Sequence, residues 1–332
     1  MACPLTAATK KPSSCRNSIR SLQAARAEVH FAEAQDASIR DREATRVARL
    51  YAAALRAEAE LQAAKANMAM SEALRDLASH KKAEGEGTEI DLARTSLAVA
   101  RHQQQLISDE TELRRIHLDL INALNLSWDT RLKLTGAFAV VPSDMPTVPE
   151  ALTTAFNSRA DLKEQGQRTA SAKLKNTAAK LERMPSLVGY GDYGLLSGVQ
   201  THVLGATLKI PLFDGGRMDA DRAEASSLMR QEEIRETELR KNVELDIRKV
   251  LATLASARQK VEVAEQSVSF AEDVLAHANR LYKVGLTTSI EVIDAQTQLE
   301  TAKTEKVDAL FDYTNARIDL AEAMGTATSL SF

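Results

Sequence analysis

Apolar residues recur in this chain with alternating spacings of four and three, and the same row occurs twice, 200 residues apart. The second copy is apolar throughout: Val243, Ile247, Val250, Leu254, Ala257, Val261, Ala264, Val268, Ala271, Leu275 and Ala278. The first copy is looser: Val47, Leu50, Ala54, Ala57, Leu61, Ala64, Met68, Ser71, Arg75 and Ala78. Where Ser71 and Arg75 interrupt it, we expect Leu74 to enter the seam and the arginine head to reach water.

A glycine follows each apolar row, and after it comes a second apolar row with the same spacing, as expected for a helix that runs back along the first. The row after Gly285 is Val292, Ala295, Leu299, Ala302, Lys306, Ala309, Tyr313, Ala316, Leu320 and Ala323. The row after Gly85 is Leu92, Thr95, Val99, His102, Leu106, Asp109, Leu113, Ile116, Leu120 and Ala123. The pattern predicts a mainly α fold built from two duplicated, long antiparallel coiled-coil helix hairpins.

A period of 3.5 residues makes packed helices supercoil left-handed, with knobs entering holes. The many alanines let helix axes approach closely. The helix from about Arg217 to Leu281 would be on the order of 100 Å long, whereas globular helices average about 11–12 residues. All seven prolines lie outside the proposed long helices, as helix geometry requires.

Breaks in this periodicity mark the boundaries of the segments into which we divide the chain. We predict a disordered N-terminus (1–15), a first helical repeat (16–125, tip turn near 83–88), a connecting loop (126–148) and a shorter helix (149–184). A strand pair (185–212), a second helical repeat (213–326, tip turn 283–289) and a C-terminal tail (327–332) complete the chain.

In the second predicted strand, one face carries Leu204, Ala206, Leu208 and Ile210, while the other carries small or polar residues. This alternation is typical of an outer-membrane strand, and a buried hairpin would have it too. Gly189, Gly191 and Gly194 fit G-x-G-x-x-G, but extended sequence continues past them, so we interpret them as strand glycines rather than a dinucleotide site.

Charge and cysteine content exclude several classes of function. The chain has 43 basic and 46 acidic residues, a net charge of −3, with no concentrated basic face, which disfavours nucleic-acid binding. Cys3 and Cys15 define neither a disulfide framework nor a zinc site. The sequence shows no secretory signal and no run of 18 apolar residues, so on its face it looks cytoplasmic.

Several short motifs in order resemble the outer-membrane efflux protein family, the TolC-like export ducts. They are the junction Pro211-Leu-Phe-Asp-Gly-Gly216, the segment Asn157-Ser-Arg-Ala-Asp-Leu162, the turn Leu281-Tyr-Lys-Val-Gly-Leu-Thr-Thr-Ser-Ile290 and the following Asp294-Ala-Gln296. The family segment similar to 157–162 has a proline that is missing here. The resemblance covers about residues 16–326.

The resemblance implies a passive, trimeric duct in the outer membrane and periplasm, part of a tripartite efflux or type I export system. Paired helices would form an α-barrel, and the short β-hairpin would contribute to a shared β-barrel among outer-membrane lipids. The hairpin tips would dock a periplasmic adaptor (membrane fusion) protein, which joins the duct to an inner-membrane transporter.

The implied adaptor-contact tip consists of Val284, Gly285, Leu286, Thr287 and Thr288. A plain interhelical turn would also explain Gly285. The first-repeat tip, Glu84, Gly85, Glu86, Gly87 and Thr88, departs from the motif and carries two carboxylates. With Glu89, these carboxylates could shape an ion-selective mouth or form a solvated helix end.

The N-terminus departs from the family pattern. On the 200-residue offset, Pro211–Gly216 corresponds to 11–16, which leaves no room for the family's first strand pair. Three chains would supply six strands, and membrane barrels start at eight. We therefore expect that the sequence is N-terminally truncated, or begins at a misassigned start codon.

We find no convergent catalytic, cofactor or metal site, because the six histidines lie scattered. An enzyme is therefore not expected, and His102 is interpreted as a packed or interface histidine.

The alternative function is a soluble coiled-coil scaffold, or a non-functional fragment of the duct. A scaffold has no use for the strand pair or the junction before residue 217.

Overall fold

The structure is a computed structural model that describes residues 15–136, 138, 140, 145–182, 184–196, 199–210 and 213–330. Six α-helices, an antiparallel strand pair and a short 3-10 helix follow in chain order. They are α1 (Cys15–Ala83), α2 (Glu89–Ala123), α3 (Val148–Ser158), α4 (Ala160–Leu181), β1 (Ser186–Leu196), β2 (Val199–Lys209), α5 (Arg217–Lys283), α6 (Ser289–Met324) and the 3-10 helix Ala327–Ser329. The predicted mainly helical fold class is confirmed. The N-terminus predicted to be disordered lies outside the described residues except for Cys15, where α1 begins.

The long helices are polar along most of their surface. Within the described part of the chain, none of them contains a stretch apolar and long enough to cross a membrane. Their stability depends instead on narrow apolar seams packed against other helices.

The chain divides into two compact units. One contains residues 40–158 and 243–332, and the other contains residues 1–39 and 159–242. The first of these, which we call the tip unit, includes both helix turns and the seams that lead to them.

Helix α6 has the most completely buried face in the tip unit. Every position of its predicted row is buried except Lys306, whose ammonium lies 3.2 Å from Glu265 of α5. The predicted row of α5 is buried over most of its length, but Leu251 replaces Val250 in the core. A four-three row drifts slowly around a helix of 3.6 residues per turn, which accounts for a shift of one position.

Near the turns, the first copy departs from its row as the sequence predicts. Leu74 is 5% exposed and packs in one cluster with Leu275, Tyr282 and Val292. The guanidinium of Arg75 instead reaches the surface and pairs with Asp76 at 2.8 Å.

The single helix predicted over 149–184 is wrong, because the structure has two helices there. The backbone at Arg159 leaves the helical region (φ −59°, ψ 122°) and precedes the first residue of α4. The carboxylate of Asp161 then accepts a hydrogen bond from the amide of Leu162 at 2.8 Å and pairs with Arg159 at 2.7 Å. These contacts satisfy a backbone donor in the first turn that a continuous helix would have bonded internally.

The junction before α5 shows why its motif contains Asp-Gly-Gly. The carboxylate of Asp214 accepts a hydrogen bond from the amide of Met218 at 2.7 Å and so caps the helix. Gly215 and Gly216 have φ of 72° and 86°, which residues with a side chain rarely adopt.

Strands β1 and β2 pair antiparallel with Leu187 opposite Leu208 and Gly191 opposite Leu204. The apolar face predicted from the sequence is confirmed and is open to solvent, since Leu187, Leu204 and Leu208 are 72%, 89% and 59% exposed. The three glycines of the G-x-G-x-x-G pattern lie inside β1, where no helix begins. The strand therefore lacks the turn into a helix that the dinucleotide fingerprint requires.

The buried seam of α5 predicts that substitutions at two apolar residues, two positions apart, change the free energy of unfolding by very different amounts. Ile247 is fully buried, whereas Leu245 is 48% exposed. Ile247→Ala should lower the free energy of unfolding by about 2–5 kcal/mol, because it leaves a cavity in the seam. Leu245→Ala should change it by less than about 0.5 kcal/mol. Denaturant unfolding followed by helical circular dichroism tests this, and equal losses would contradict the assigned seam.

Candidate functional site: the paired helix-hairpin tips

The two turns that connect long helices have the same backbone design. Gly85 and Gly285 have φ of 80° and 76°, in the left-handed region that favours glycine. In each turn the glycine amide donates to a carbonyl three residues back, Lys82 or Tyr282, at 3.1 or 3.2 Å. The next amide donates to a carbonyl five residues back, at 2.9 Å in both turns. These bonds satisfy the last carbonyls of α1 and α5.

The second tip presents apolar side chains to solvent. Val284 and Leu286 are 69% and 76% exposed, although both flank a rigid turn. A Cβ added at Gly285 would contact nothing within 4 Å, so the surface between these side chains is open. The hydroxyl of Thr287 donates to the carboxylate of Glu291, and Thr288 occupies the N-cap position of α6.

The first tip is polar, and its Gly87 lies against the backbone of α1. Glu84 and Glu86 are exposed, and Lys82 forms an ion pair with Glu89 across the turn. A Cβ added at Gly87 would lie 2.9 Å from the backbone nitrogen of Lys82, so only glycine fits there. Glu84 and Glu86 thus stand where the second tip has Val284 and Leu286, and Gly87 stands where it has Thr287.

Direct contacts hold the two tips together. The ammonium of Lys81 donates to the backbone carbonyl of Tyr282 at 2.6 Å and lies 4.7 Å from the centroid of its ring. On the returning side, the buried hydroxyl of Ser289 donates to Asp91 of α2. Thr88 donates to the other carboxylate oxygen of Asp91 at 2.6 Å. The tips therefore form one surface that carries an apolar and an acidic half.

The electrostatics of this contact centre on Asp91. Hydrogen bonds from Ser289 and Thr88 hold the pKa of Asp91 below its usual value. Burial raises the pKa of the Tyr282 phenol, and the negative charge of Asp91 adds to that effect. Asp91 is therefore ionised and Tyr282 neutral near neutral pH.

A second polar cluster lies farther along the same helices. The Ser71 hydroxyl lies 2.7 Å from Nδ1 of His102, whose Nε2 lies 3.3 Å from a carboxylate oxygen of Glu300. Ser71 is 2% exposed, and the three residues join α1, α2 and α6. The predicted packed or interface role for His102 is confirmed. Farther along α2, burial raises the pKa of Asp109, a hydrogen bond from Gln105 lowers it, and the charge of Glu300 raises it further.

The predicted tip residues thus lie together at one end of the tip unit. Lys81, Asp91, Tyr282 and Ser289 were not singled out from the sequence. The apolar rows give no signal for them, because contacts between the two copies depend on how the hairpins pack. The 200-residue offset does place Asp91 and Ser289 in the first turns of equivalent helices.

A model of the outer membrane efflux protein family matches residues 151–326, and the chain belongs to that family. The resemblance inferred from the short motifs is therefore confirmed. The Pyoverdine export outer membrane protein OpmQ of Pseudomonas putida is 25% identical over 309 residues, which cover 87% of this chain and 64% of OpmQ. The Proteases secretion protein PrtF of Dickeya chrysanthemi is 20% identical over 313 residues, 88% of this chain and 66% of PrtF.

Solved structures share the fold. The Campylobacter jejuni CmeC outer membrane channel superposes with a TM-score of 0.76 at 15% identity, over 92% of this chain and 67% of CmeC. The chain spans about two thirds of the length of the curated relatives it matches. Family membership favours the export duct over the soluble scaffold.

The contact between Ser289 and Asp91 predicts that the stability of the paired tips depends on pH. Because the pKa of Asp91 is depressed in the folded state, the contact stabilises the tip above about pH 4 and is lost as pH falls through the folded pKa. Ser289→Ala should speed amide hydrogen exchange at 284–288 about five-fold at pH 6, the equivalent of about 1 kcal/mol.

That difference between Ser289→Ala and the unmodified chain should shrink toward zero at the lowest accessible pH. Thr297→Ala provides the control, since the Thr297 hydroxyl donates within its own helix, to the carbonyl of Ile293 at 2.9 Å. A difference that does not depend on pH would show that Asp91 does not carry the effect.

Proposed function

We propose that this protein is the passive outer-membrane duct of a tripartite efflux or type I export system. It works as a homotrimer that extends into the periplasm. Its paired tips dock a periplasmic adaptor protein, which connects the duct to an inner-membrane transporter. The observation that carries the proposal is the exposed pair Val284 and Leu286 on a rigid turn at the end of a long helix hairpin.

Exposed aliphatic side chains on a rigid turn are suited to binding a protein partner. Their backbone is already fixed by the bonds that close the turn, so docking costs little conformational entropy. Gly285 between them has no Cβ, which lets a partner backbone come close. Thr287 and Thr288 add hydroxyl groups at the rim of the same surface.

The first tip contributes differently to docking. Glu84 and Glu86 offer carboxylates instead of apolar side chains, so the matching part of the adaptor is expected to be basic. Since Lys81 and Asp91 hold the two tips together, one adaptor surface can contact both.

At the other unit of the chain, the strand pair supports a place in the outer membrane. The exposed leucines at 187, 204 and 208 share one face of the hairpin, where lipid chains would cover them. The long helices are polar enough to lie in the aqueous periplasm.

The proposal includes no catalytic step. The cluster of Ser71, His102 and Glu300, in which Ser71 is buried and the other two side chains are half-buried, joins three helices. Polar residues at such a place specify how helices align. In this proposal the transporter selects the cargo. The different cargoes of two relatives support this view. OpmQ is an export protein for pyoverdine and PrtF a secretion protein for proteases, two very different cargoes.

Placing a charge at the second tip tests adaptor docking. Leu286→Asp should reduce export at least about ten-fold and abolish copurification with the adaptor, because a buried unpaired charge at an interface costs several kcal/mol. The Leu286 side chain is exposed, so the variant should keep the unfolding midpoint of the unmodified chain.

Leu174→Asp on α4 is the matched control, since Leu174 is 64% exposed but lies far from both turns in the sequence. It should leave adaptor binding and export intact. Normal adaptor capture by Leu286→Asp would refute the assigned docking tip.

A further inference from the structure

The cluster of Ser71, His102 and Glu300 joins the first helix hairpin to α6. The Oγ of Ser71 on α1 lies 2.7 Å from Nδ1 of His102 on α2, and Nε2 of His102 lies 3.3 Å from a carboxylate oxygen of Glu300 on α6. Ser71 is buried, and the side chains of His102 and Glu300 are half-buried. One imidazole therefore connects three helices.

The second repeat has no such cluster. Two hundred positions along the chain, Ser71 and His102 correspond to Ala271 and Ala302. Ala302 is buried, and Ala271 packs against the apolar cluster around Leu275. Because the second repeat packs with alanine at both positions, the fold does not require polar side chains there. A polar group at a place where an apolar one would pack points to a role other than packing.

Glu300 has no permanent positive partner. Among the described residues it forms no ion pair with a lysine or an arginine, and His102 is the basic group that contacts it. Burial raises the pKa of Asp109 on α2, and the negative charge of Glu300 raises it further, so the two carboxylates lie within range of each other's charge. Asp109 accepts a hydrogen bond from Gln105 at 2.9 Å. A protonated His102 is therefore the group placed to neutralise this acidic pair.

The other charged side chains within one turn of the cluster are exposed or have their own partners. Glu72 of α1 and Arg101 of α2 are exposed. Arg75 of α1 pairs with the next residue at 2.8 Å, and Lys303 of α6 lies 4.0 Å from Glu272 of α5. Within the part of the chain that the structure describes, none of them lies within ion-pair distance of the cluster.

Farther from the tips, arginines hold the first hairpin to α6. Arg49 of α1 pairs with Asp319 and Glu322 at 2.9 and 2.8 Å, and Arg56 pairs with Asp308 at 2.6 Å. Arginine and carboxylate both stay charged near neutral pH, so these pairs are permanent. Nearer the tips the basic partner of α6 is instead a histidine, the side chain whose charge ordinarily changes between about pH 5 and 8.

We propose that His102 is a pH-sensitive lock between the two helix hairpins, closed when its imidazole is protonated. Below about pH 6 the imidazolium places a positive charge beside the carboxylates of Glu300 and Asp109 and fastens α2 to α6. Above about pH 7 that charge is lost, the carboxylates repel, and this stretch of the two helices separates more often. The stabilisation is thus present at low pH and is lost as the pH rises.

The hydrogen bonds of the cluster accommodate both protonation states. A carboxylate only accepts, so a neutral imidazole bonded to Glu300 carries its proton on Nε2, and its Nδ1 accepts from the Ser71 hydroxyl. When Nδ1 takes up a proton from water, it donates to Oγ of Ser71. The hydroxyl proton then turns to the carbonyl of Asn67, four residues back in α1, an acceptor that serines in helices use. The ring keeps its place in both states.

The lock bears on the tips because both helices that it joins begin there. Helix α2 starts at Glu89 and α6 at Ser289, and His102 and Glu300 lie about three turns into them. A contact so near the start of both helices fixes how the second tip sits against the first. The alignment of the tips therefore depends on pH. The lock lies within one copy and does not depend on the proposed adaptor docking.

Amide hydrogen exchange of the unmodified chain at about pH 5.5 and about pH 8 tests the lock, since histidine changes charge between them. After correction for the intrinsic pH dependence of exchange, residues 98–106 and 296–304 should open about five-fold less often at the lower pH. Residues 52–58 contain Arg56 and serve as the reference, with equal protection at both pH values. Equal protection of residues 98–106 at both pH values would overturn the lock.

Removing the charge of Glu300 separates the lock from other effects of pH. Glu300→Gln should reduce the five-fold ratio to about one, because the imidazolium then has no carboxylate on α6 to pair with. Glu305→Gln is the matched control, since Glu305 is exposed on the same helix and forms no ion pair among the described residues. It should keep the ratio of the unmodified chain. A five-fold ratio that persists in Glu300→Gln would refute the role of His102.

Two further variants fix the lock closed or remove it. His102→Lys carries its charge at both pH values, so residues 98–106 should stay protected at both, and faster opening at the higher pH would contradict the role of the charge. Ser71→Ala combined with His102→Ala copies the residues of the second repeat, so this chain should fold. Its opening should not depend on pH, and a five-fold ratio in it would also overturn the lock.

Discussion

The tip unit depends on apolar seams between its long helices, such as the cluster in which Leu74 of α1 meets Leu275 of α5 and Val292 of α6. The helices are long and polar over most of their surface, so they are stable only where this narrow seam excludes water. Alanine occupies many seam positions, including Ala52, Ala257 and Ala316, which are 0–2% exposed. Small side chains bring the helix axes close together, and the turns at Gly85 and Gly285 are placed where those axes end.

The two halves of the molecule share this frame but differ at the ends of the hairpins. The second tip exposes Val284 and Leu286, while the first tip exposes carboxylates and packs Gly87 against backbone. Contacts from Lys81 and Asp91 join these unlike tips into one surface. The same turn backbone can therefore present apolar side chains in one tip and acidic side chains in the other. Exposed side chains at a turn can differ in this way because they do not contribute to the buried seam.

The sequence alone determined the long helices, their turns, the strand pair and the family, because periodicity and turn glycines act over a few residues and leave a direct trace. It predicted the entry of Leu74 into the seam for the same reason. It failed over residues 149–184, where a periodic run contains a break at Arg159 that local propensity does not signal. Only the tertiary structure decided that Lys81 reaches Tyr282, that Ser289 reaches Asp91, and that Ser71, His102 and Glu300 meet. These contacts join residues up to 201 positions apart, and they depend on the relative rotation and height of packed helices. No pattern within a single helix contains that information.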